Sequence, residues 1–121
     1  MSVDNTTTTS AARFARLDLQ PHIDSIRFEQ REKRDRILRP LVSFPNFKLV
    51  LVSMPAGECW AEHSTPGRIS VQCLHGSIRM KALGELFDLA PGQVLALESN
   101  VQHDVEALAE SVFLLTIARC D

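Results

Sequence analysis

The chain has few cysteines, little excess charge and no long apolar run, and each shortage excludes a class of protein. Its three cysteines, Cys59, Cys73 and Cys120, are sparse and odd in number, so we expect no disulfide framework and a reducing, cytoplasmic setting. The formal net charge of −2 over 121 residues favours neither a nucleic-acid surface nor an acidic tail. No stretch has the apolar length that a membrane span requires. We therefore expect neither nucleic acid nor a membrane among the partners.

Motifs for several kinds of catalysis are also missing. The chain has no G-x-S-x-G nucleophile motif, no glycine-rich phosphate loop and no CxxC pair. Ser64 adjoins His63, but neighbouring side chains on a strand point in opposite directions, so the pair has little support as nucleophile and base. The segment Met1 to Ser10 is polar and threonine-rich and lacks the basic start and apolar centre of a signal peptide. Nucleophilic catalysis is therefore disfavoured.

The length and the 45% apolar content predict one domain with one core. Residues 1–20 show no hydrophobic period and carry several Thr and Ser, so we predict a mobile N-terminal arm there and a single domain over 21–121. The segment from Ile23 to Arg39 holds six basic and four acidic residues. We interpret it as a solvated hairpin or helix surface, with an anion-binding stripe as the alternative. Ile26 and Phe28 alternate with polar neighbours, which slightly favours a strand.

From Arg36 onward the sequence has the pattern of short β-strands separated by turns. Turn residues such as Pro91-Gly92 separate the apolar or alternating runs at roughly 8–12-residue spacing, which is typical of an antiparallel sandwich or barrel. The period of two places Ile69, Val71 and Cys73 on one face of their strand. The predicted strands include residues 47–54, 69–74, 85–89, 94–97, 102–108 and 112–119.

Two segments carry glycine and histidine at regular intervals. Gly57 to Gly76 reads G-ECWAE-H-S-T-PGR-I-SVQCLH-G, and Gly92 to Ala107 reads G-QVLAL-E-S-N-VQ-H-DVE-A. Their intervals equal those of the two cupin motifs, G-x5-H-x-H-x3-E-x6-G and G-x5-P-x-G-x2-H-x3-N. The chain therefore resembles the cupin superfamily, in particular its small, single-domain RmlC-like members. The resemblance implies an all-β fold, a double-stranded β-helix or jelly-roll barrel, over residues 21–121.

The resemblance also implies a site inside the barrel, where the family holds one divalent metal with three histidines and a glutamate. His63 and His103 fall on histidine positions, whereas Thr65 and Ile69 replace the second histidine and the glutamate. Firm metal sites have three or four protein ligands, so two imidazoles alone should bind metal only adventitiously. The expected cofactor is at most one divalent metal (Zn, Ni, Fe or Mn), held by His63 and His103.

Strand parity and the resemblance together define a candidate ligand pocket. Two imidazoles in an apolar cavity could hydrogen-bond a carboxylate or phenolate, or act as general base and acid. The alternative is that each ring bonds only backbone or water. Cys73 could supply a thiolate ligand, although free cysteine is more often a small buried apolar residue. The pocket comprises His63, Thr65, Ile69, Val71, Cys73, Ile78, Met80, His103 and Val105, and no catalytic residue is assigned.

Three hypotheses for the function stay open. The first is a binding protein that holds a small, partly apolar organic molecule between His63 and His103. The second is a metal-dependent enzyme of the dioxygenase or isomerase type, acting on a small carbonyl or aromatic compound, with water or substrate completing the metal shell. The third is an interaction module. We expect a homodimer, because the resemblance implies dimers built through sheet edges or faces, with residues 20–45 able to add a strand to a partner.

Overall fold

The structure, a computed structural model, describes residues 13–119, with the side chains of Glu62 and His63 left out. Over this range the chain forms one helix followed by nine strands. The strands predicted over residues 47–54, 85–89 and 94–97 have these bounds in the structure. In chain order the elements are α1 (Leu19–Lys33), β1 (Ile37–Phe44), β2 (Phe47–Met54), β3 (Cys59–His63), β4 (Arg68–His75), β5 (Ile78–Ala82), β6 (Glu85–Leu89), β7 (Val94–Leu97), β8 (His103–Ala107) and β9 (Ser111–Ala118).

The strands form two antiparallel sheets that pack face to face. The five-stranded sheet has the order β1-β2-β9-β4-β7, and the four-stranded sheet has the order β3-β8-β5-β6. All described pairings are antiparallel. Apart from the β1–β2 and β5–β6 hairpins, neighbours in the sheets are distant in sequence, as they are in a jelly roll. The predicted all-β barrel is confirmed.

Apolar side chains from both sheets fill the space between them. On β4, Ile69, Val71 and Cys73 are buried, and each is flanked by a less buried residue, as the period of two predicts. Removing such a side chain from water stabilises the fold by about 1.5–3 kcal/mol. This core comprises Val52, Met54, Ile69, Val71, Cys73, Ile78, Met80, Leu89, Val105, Ala107 and Phe113.

Helix α1 corrects the prediction of a strand around Ile26 and Phe28. A strand would place these two residues on the same face, but Ile26 is fully buried and Phe28 is 67% exposed. The buried positions Ile23, Ile26 and Gln30 recur at intervals of three and four, the period of a helix. The helix ends at Arg34, whose left-handed backbone lets its N–H donate to the Gln30 carbonyl at 2.8 Å. Local alternation over a few residues was too short to distinguish the two periods.

Helix α1 covers the outer face of the five-stranded sheet and forms a second core there. Ile23 and Ile26 pack with Leu41, Leu51 and Val112 of strands β1, β2 and β9. Residues before the helix, Ala15 and Leu17 among them, pack against the same cluster. The predicted boundary at residue 20 therefore falls inside the helix. The rest of the predicted arm, residues 1–12, and Cys120 lie outside the described residues. No helix in the described range is long and apolar enough to cross a membrane.

Ion pairs connect the basic segment to the rest of the described chain. Arg31 donates to both carboxylate oxygens of Glu110, with shortest distances of 2.8 Å, and Arg27 lies 3.5 Å from the same group. Arg39 reaches back from β1 to Glu29. Arg36 pairs with Glu58 at 3.1 Å and lies 4.6 Å from the ring centre of Trp60. Most cations of the segment, for which an anion-binding stripe was the alternative interpretation, therefore have acidic partners within the chain.

His22 is an unusual member of the interface between helix and sheet. Its side chain is 1% exposed, and neither ring nitrogen has a hydrogen-bond partner among the described residues. A buried polar group without a partner costs free energy, because it loses its hydrogen bonds to water on folding. His22 thus lowers the stability of the helix-sheet interface, and nothing in its sequence context had marked it.

We expect His22→Leu to raise the free energy of unfolding by about 1–2 kcal/mol, because leucine has a similar volume and leaves no nitrogen unpaired. Urea titration monitored by circular dichroism measures the change. His75→Leu, at the half-buried end of β4, is the control and should change stability less. A loss of stability in His22→Leu would show that the ring has a partner that the protein needs.

The Glu110 contacts predict an acid-sensitive helix. The hydrogen bond from Arg31 lowers the pKa of the Glu110 carboxyl below its usual value of 4.5. A lowered pKa in the folded state adds stability above pH 4.5, and this stability disappears as the pH falls through the folded value. Glu110→Gln should therefore flatten the unfolding free energy between about pH 5 and pH 3, by less than about 1 kcal/mol because the pair is partly exposed. An unchanged pH profile would contradict this role.

Candidate functional site

The two motif segments form neighbouring parts of one end of the barrel. The first motif spans β3 and β4, and the second spans β7 and β8. The backbone N–H of Asn100 donates to the carbonyl oxygen of Thr65 at 2.9 Å and joins the two motif loops. In the four-stranded sheet, His63 of β3 lies directly opposite His103 of β8. The ring of His63 lies outside the described part of the structure, so its role as ligand or binding group stays a prediction.

Strand β3 has an irregularity that changes which of its side chains face the core. The register shifts between Trp60 and His63, so three residue steps on β3 match two steps on β8. Trp60 packs against the core between the sheets, and its neighbour Cys59 is exposed. An unbroken strand would have given Cys59 the parity of His63, and the shift removes that relationship. Cys59 therefore lies on the outer face, away from the barrel interior.

His103 is buried and held in one orientation. Its side chain is 4% exposed, and it shares the inner face of β8 with Val105 and Ala107. The Nδ1 atom lies 3.0 Å from the carbonyl oxygen of Val101. A carbonyl only accepts hydrogen bonds, so Nδ1 carries a proton, and when the ring is neutral its lone pair is on Nε2. In that tautomer Nε2 is the ring atom with the character of a hydrogen-bond acceptor or metal ligand.

The positions of the missing family ligands cannot complete a metal centre of the family type. Ile69, at the glutamate position, is 4% exposed, belongs to the core between the sheets and has no donor atom. Thr65, at the second histidine position, is half-buried, and its hydroxyl accepts a 3.4 Å hydrogen bond from the N–H of Gly67. No group of three His, Cys, Asp or Glu side chains that could hold a metal occurs among the described residues. The donors present therefore do not fit a centre of four protein ligands.

Cys73 does not replace the missing ligands. Its side chain is fully buried in the core, and the sulfur donates weakly to the carbonyl oxygens of His75 and Gly76 at 3.6 and 3.8 Å. Burial raises the pKa of the Cys73 thiol, so the thiolate that a metal requires is disfavoured. The expectation of a small buried apolar residue describes Cys73 well.

The other departures from the family motifs have structural explanations. Asn100 stands at a glycine position, and its φ of +64° lies in the left-handed region that asparagine tolerates better than most residues. Glu98 stands where the family has proline and pairs with Arg68 at 2.6 Å across the barrel end. Ala107 stands at the asparagine position and uses its backbone to bond Gly57 and Glu58. These substitutions keep the loops in place, and the Glu98 pair uses the Arg68 charge that could otherwise meet an anionic ligand.

The structure brings most of the predicted pocket residues together in the core between the two sheets. Six of them belong to one core, while His103 lies at the start of β8 and Thr65 in the loop after β3. Their role in lining a pocket stays a prediction. The six are Ile69, Val71, Cys73, Ile78, Met80 and Val105.

Two clefts on the described surface were not expected from the sequence. One, of about 400 Å³, lies at the end of the four-stranded sheet between the β5–β6 turn and the loop before β8. The other, an apolar groove of about 300 Å³, lies where Leu17 and Leu19 meet the five-stranded sheet beside Phe44 and Phe47. Each is assembled from segments distant in sequence, so no local pattern marks it. Of the two, the first lies next to Val101, which orients His103.

The sequence matches no protein-family model and no curated protein. Solved structures nevertheless share its architecture. A conserved protein of unknown function from Streptococcus pyogenes matches all of this chain and 97% of its own, with a TM-score of 0.71 and 21% identity. An RmlC-like cupin from Desulfovibrio desulfuricans matches 98% of this chain and 96% of its own, with a TM-score of 0.65 and 21% identity.

An enzyme shares the same fold. The salicylate 1,2-dioxygenase of Pseudoaminobacter salicylatoxidans, in the form of a glycine-to-alanine mutant, matches 82% of this chain and 33% of its own length, with a TM-score of 0.73 and 15% identity. At these identities the likeness extends to the fold and no further. The architecture, the motif positions and these similarities agree, and the chain has the fold of the small, single-domain RmlC-like cupins.

Proposed function

We propose that the protein is a small binding cupin that holds a partly apolar organic molecule beside His103. The observation that carries the proposal is the buried Ile69 at the position of the family's anionic metal ligand, while His103 keeps its place and its orientation. The inner face of the four-stranded sheet thus keeps one imidazole, oriented by Val101, among apolar side chains. Such a combination suits a ligand with one hydrogen-bonding group and an apolar body.

The chemistry of His103 supports a ligand that carries a hydroxyl or an acid group. With the proton on Nδ1 held by Val101, the neutral ring accepts a hydrogen bond at Nε2 from a hydroxyl or a protonated acid. The protonated ring would instead donate to a carboxylate or phenolate. The apolar part of the ligand would meet side chains such as Ile69 and Leu97, which pack in the same core. We propose His63 as the second polar contact, on the strand paired with that of His103.

Binding of small aromatic and alicyclic acids and phenols tests the proposal. Benzoate, cyclohexanecarboxylate and phenol would be titrated into ¹⁵N-labelled protein, with toluene as the probe that has no hydrogen-bonding group. We expect at least one of the polar probes to shift the amides of Val101, His103 and Val105. His103→Ala should weaken the binding of that probe about tenfold, a loss of about 1.4 kcal/mol, which is within the range expected for one hydrogen bond.

The matched control is His75→Ala, which removes an imidazole at the far end of β4 and should leave the affinity within about twofold. Equal binding to wild type and His103→Ala would refute the role of His103. Failure of all the polar probes to bind would refute the ligand class.

A metal-dependent enzyme, of the dioxygenase or isomerase type, is the second candidate. It is favoured by the backbone register of His63 with His103 and by the Nδ1 hydrogen bond of His103, which is how metal-binding histidines are commonly oriented. Thr65 and Ile69 supply neither an imidazole nor a carboxylate as a metal ligand, and this argues against the enzyme. Metal-dependent turnover of a small carbonyl or aromatic compound would place this candidate first.

Restoring the two family ligands should create a metal site. In Thr65→His/Ile69→Glu, the buried carboxylate should lower stability by several kcal/mol in the presence of a chelator, because an unpaired charge is buried. Added Ni²⁺ or Zn²⁺ should recover that stability, and the wild type should show no comparable gain. Differential scanning fluorimetry with and without metal measures both effects. The control Thr65→His/Ile69→Gln lacks the anionic ligand and should recover less, whereas equal metal responses in wild type and variant would contradict the account.

We also propose that the protein forms a homodimer. Residues 20–33 of the segment 20–45, which we expected to add a strand to a partner, are helical, so that part of the expectation is wrong. Strand β1, over Ile37–Phe44, is the edge strand of the five-stranded sheet and is the part of the segment that can pair with a partner. Pro40 and the register shift beside it limit regular pairing to the second half of that strand. Light scattering at micromolar concentration should give twice the mass of one chain, and a monomer would refute the proposal. A cytoplasmic location stays a prediction.

A further inference from the structure

The 400 Å³ cleft at the end of the four-stranded sheet is lined by polar and charged side chains from two loops and two strands. Lys81 projects from β5, and Asp104 lies opposite it on β8. Asn100 and Gln102 of the loop before β8 add two amides, and Leu83 of the β5–β6 turn adds an apolar wall. The volume suits a small molecule. Lys81 and Asp104 belong to the outward-facing side chains of the sheet, whereas the proposed site beside His103 lies on its inner face.

The two charges of the cleft are opposite in sign but do not pair with each other. Lys81 and Asp104 are directly opposed across the β5–β8 ladder, yet neither forms an ion pair or a side-chain hydrogen bond within the described part of the chain. The side-chain amides of Asn100 and Gln102 also have no partner there. Four hydrogen-bonding side chains thus line one cleft without a protein partner among residues 13–119.

The next outward-facing cation on β5, unlike Lys81, has an acidic partner. Arg79 lies two residues before Lys81 on the outer face of β5, and it forms two hydrogen bonds to Asp88 of β6, at 2.7 and 3.1 Å. At the position of Lys81, β6 presents Leu86 instead of an acid. Lys81 therefore has Asp104 as its one directly opposed acidic partner in the described sheet, and that carboxylate stays apart from it.

Leu83 adds an apolar side chain to the cleft at a conformational cost. It sits in the two-residue turn between β5 and β6 with φ +53°, followed by Gly84 with φ +76°. Such a turn favours asparagine or glycine at its first central position, because a leucine in the left-handed region is strained. The Leu83 side chain is also 80% exposed. A strained, exposed leucine is explained if an apolar group of a ligand covers it.

We propose that this cleft binds a small zwitterion with an apolar substituent, such as an apolar α-amino acid. Lys81 binds the carboxylate, Asp104 binds the ammonium group, the amides of Asn100 and Gln102 complete the hydrogen bonds, and Leu83 contacts the apolar substituent. A zwitterion satisfies both charges at once, whereas a simple anion or cation leaves one of them without a partner. Since Val101 lines the cleft and holds His103, an occupant also lies next to the group that orients the imidazole of the inner site.

Titration of ¹⁵N-labelled full-length protein with defined zwitterions tests the proposal. The probes are glycine, L-leucine and 4-aminobutyrate, with acetate and methylammonium as ions of single charge. We expect L-leucine to bind with a dissociation constant of about 0.1–10 mM and to shift the amides of Ala82, Leu83, Val101 and Asp104. Acetate and methylammonium should bind at least about tenfold more weakly, since each leaves one charge unpaired.

Variants separate the contributions of the cleft residues. Lys81→Met and Asp104→Asn should each weaken the binding of glycine and of L-leucine about tenfold, and the exchange Lys81→Asp/Asp104→Lys should restore glycine binding, because an achiral zwitterion can bind in reverse. Arg79→Met is the control for the loss of a cation on the same face and should bind as the wild type does. Leu83→Asn should weaken binding of L-leucine and leave glycine unchanged.

Two results would overturn the proposal. One is the absence of saturable shifts around the cleft with all three zwitterions at about 50 mM, well above the expected dissociation constant. The other is binding of acetate as tight as that of L-leucine together with no effect of Asp104→Asn, which would show a simple anion site. These results bear on the outer cleft alone, because the His103 test uses different probes and different variants.

Discussion

The apolar packing between the inner faces of the two sheets is the constraint on which the rest of the molecule depends. Ile69, Val71 and Cys73 from the five-stranded sheet meet Met80 and Val105 from the four-stranded sheet in one buried core. Because these strands pair with strands distant in sequence, the core also sets the register that places His103 on the inner face. Ile69 belongs to this core and stands at the position where the family has a carboxylate. The same residue thus adds apolar burial and removes a metal ligand.

A second layer of interactions fixes what lies outside the barrel. Helix α1 packs on the outer face of the five-stranded sheet through Ile23 and Ile26. Ion pairs join it to the rest of the chain: Arg31 of the helix pairs with Glu110, and Glu29 of the helix pairs with Arg39 of β1. The charges that resembled an anion-binding stripe are therefore largely neutralised within the chain. By contrast, the outer face of the four-stranded sheet keeps Lys81 and Asp104 without partners in the described residues. Arg27, Arg31 and Arg39 thus have acidic partners within the chain, whereas Lys81 and Asp104 do not pair with each other.

The sequence was sufficient for the barrel because the signals that define it are local and repeated. Phe47 to Met54 and Glu85 to Leu89 have the strand bounds that their β-branched or alternating residues and flanking turns predict. The motif intervals also hold, since left-handed backbone at Gly57, Gly76, Gly92 and Asn100 closes the predicted turns. For α1 the sequence left a hairpin and a helix open and slightly favoured a strand, because two of the four buried helix positions, His22 and Gln30, are polar and weaken the helical pattern. Its charged residues and the single pair of Ile26 and Phe28 gave an ambiguous period.

The site was less predictable because it depends on departures from regular geometry. The shift in β3 that separates Cys59 from the barrel interior leaves no mark in a pattern of alternating residues. The unpartnered nitrogens of His22 and the outer cleft arise where segments far apart in sequence meet. What sequence did supply was the chemistry of the key positions, namely an imidazole at residue 103 and an aliphatic side chain at residue 69. The structure adds that the first is held by Val101 and the second is buried.

Metal content is the most direct test of the claim that the barrel holds an organic ligand in place of a metal centre. Untagged protein purified without chelating resin would be analysed by elemental mass spectrometry beside His103→Ala, before and after incubation with Fe, Ni, Zn and Mn and dialysis. The account predicts far less than one equivalent of any metal and no difference between the two proteins. About one equivalent of a single metal, present in the wild type and lost in His103→Ala, would contradict it, because that stoichiometry requires a specific site.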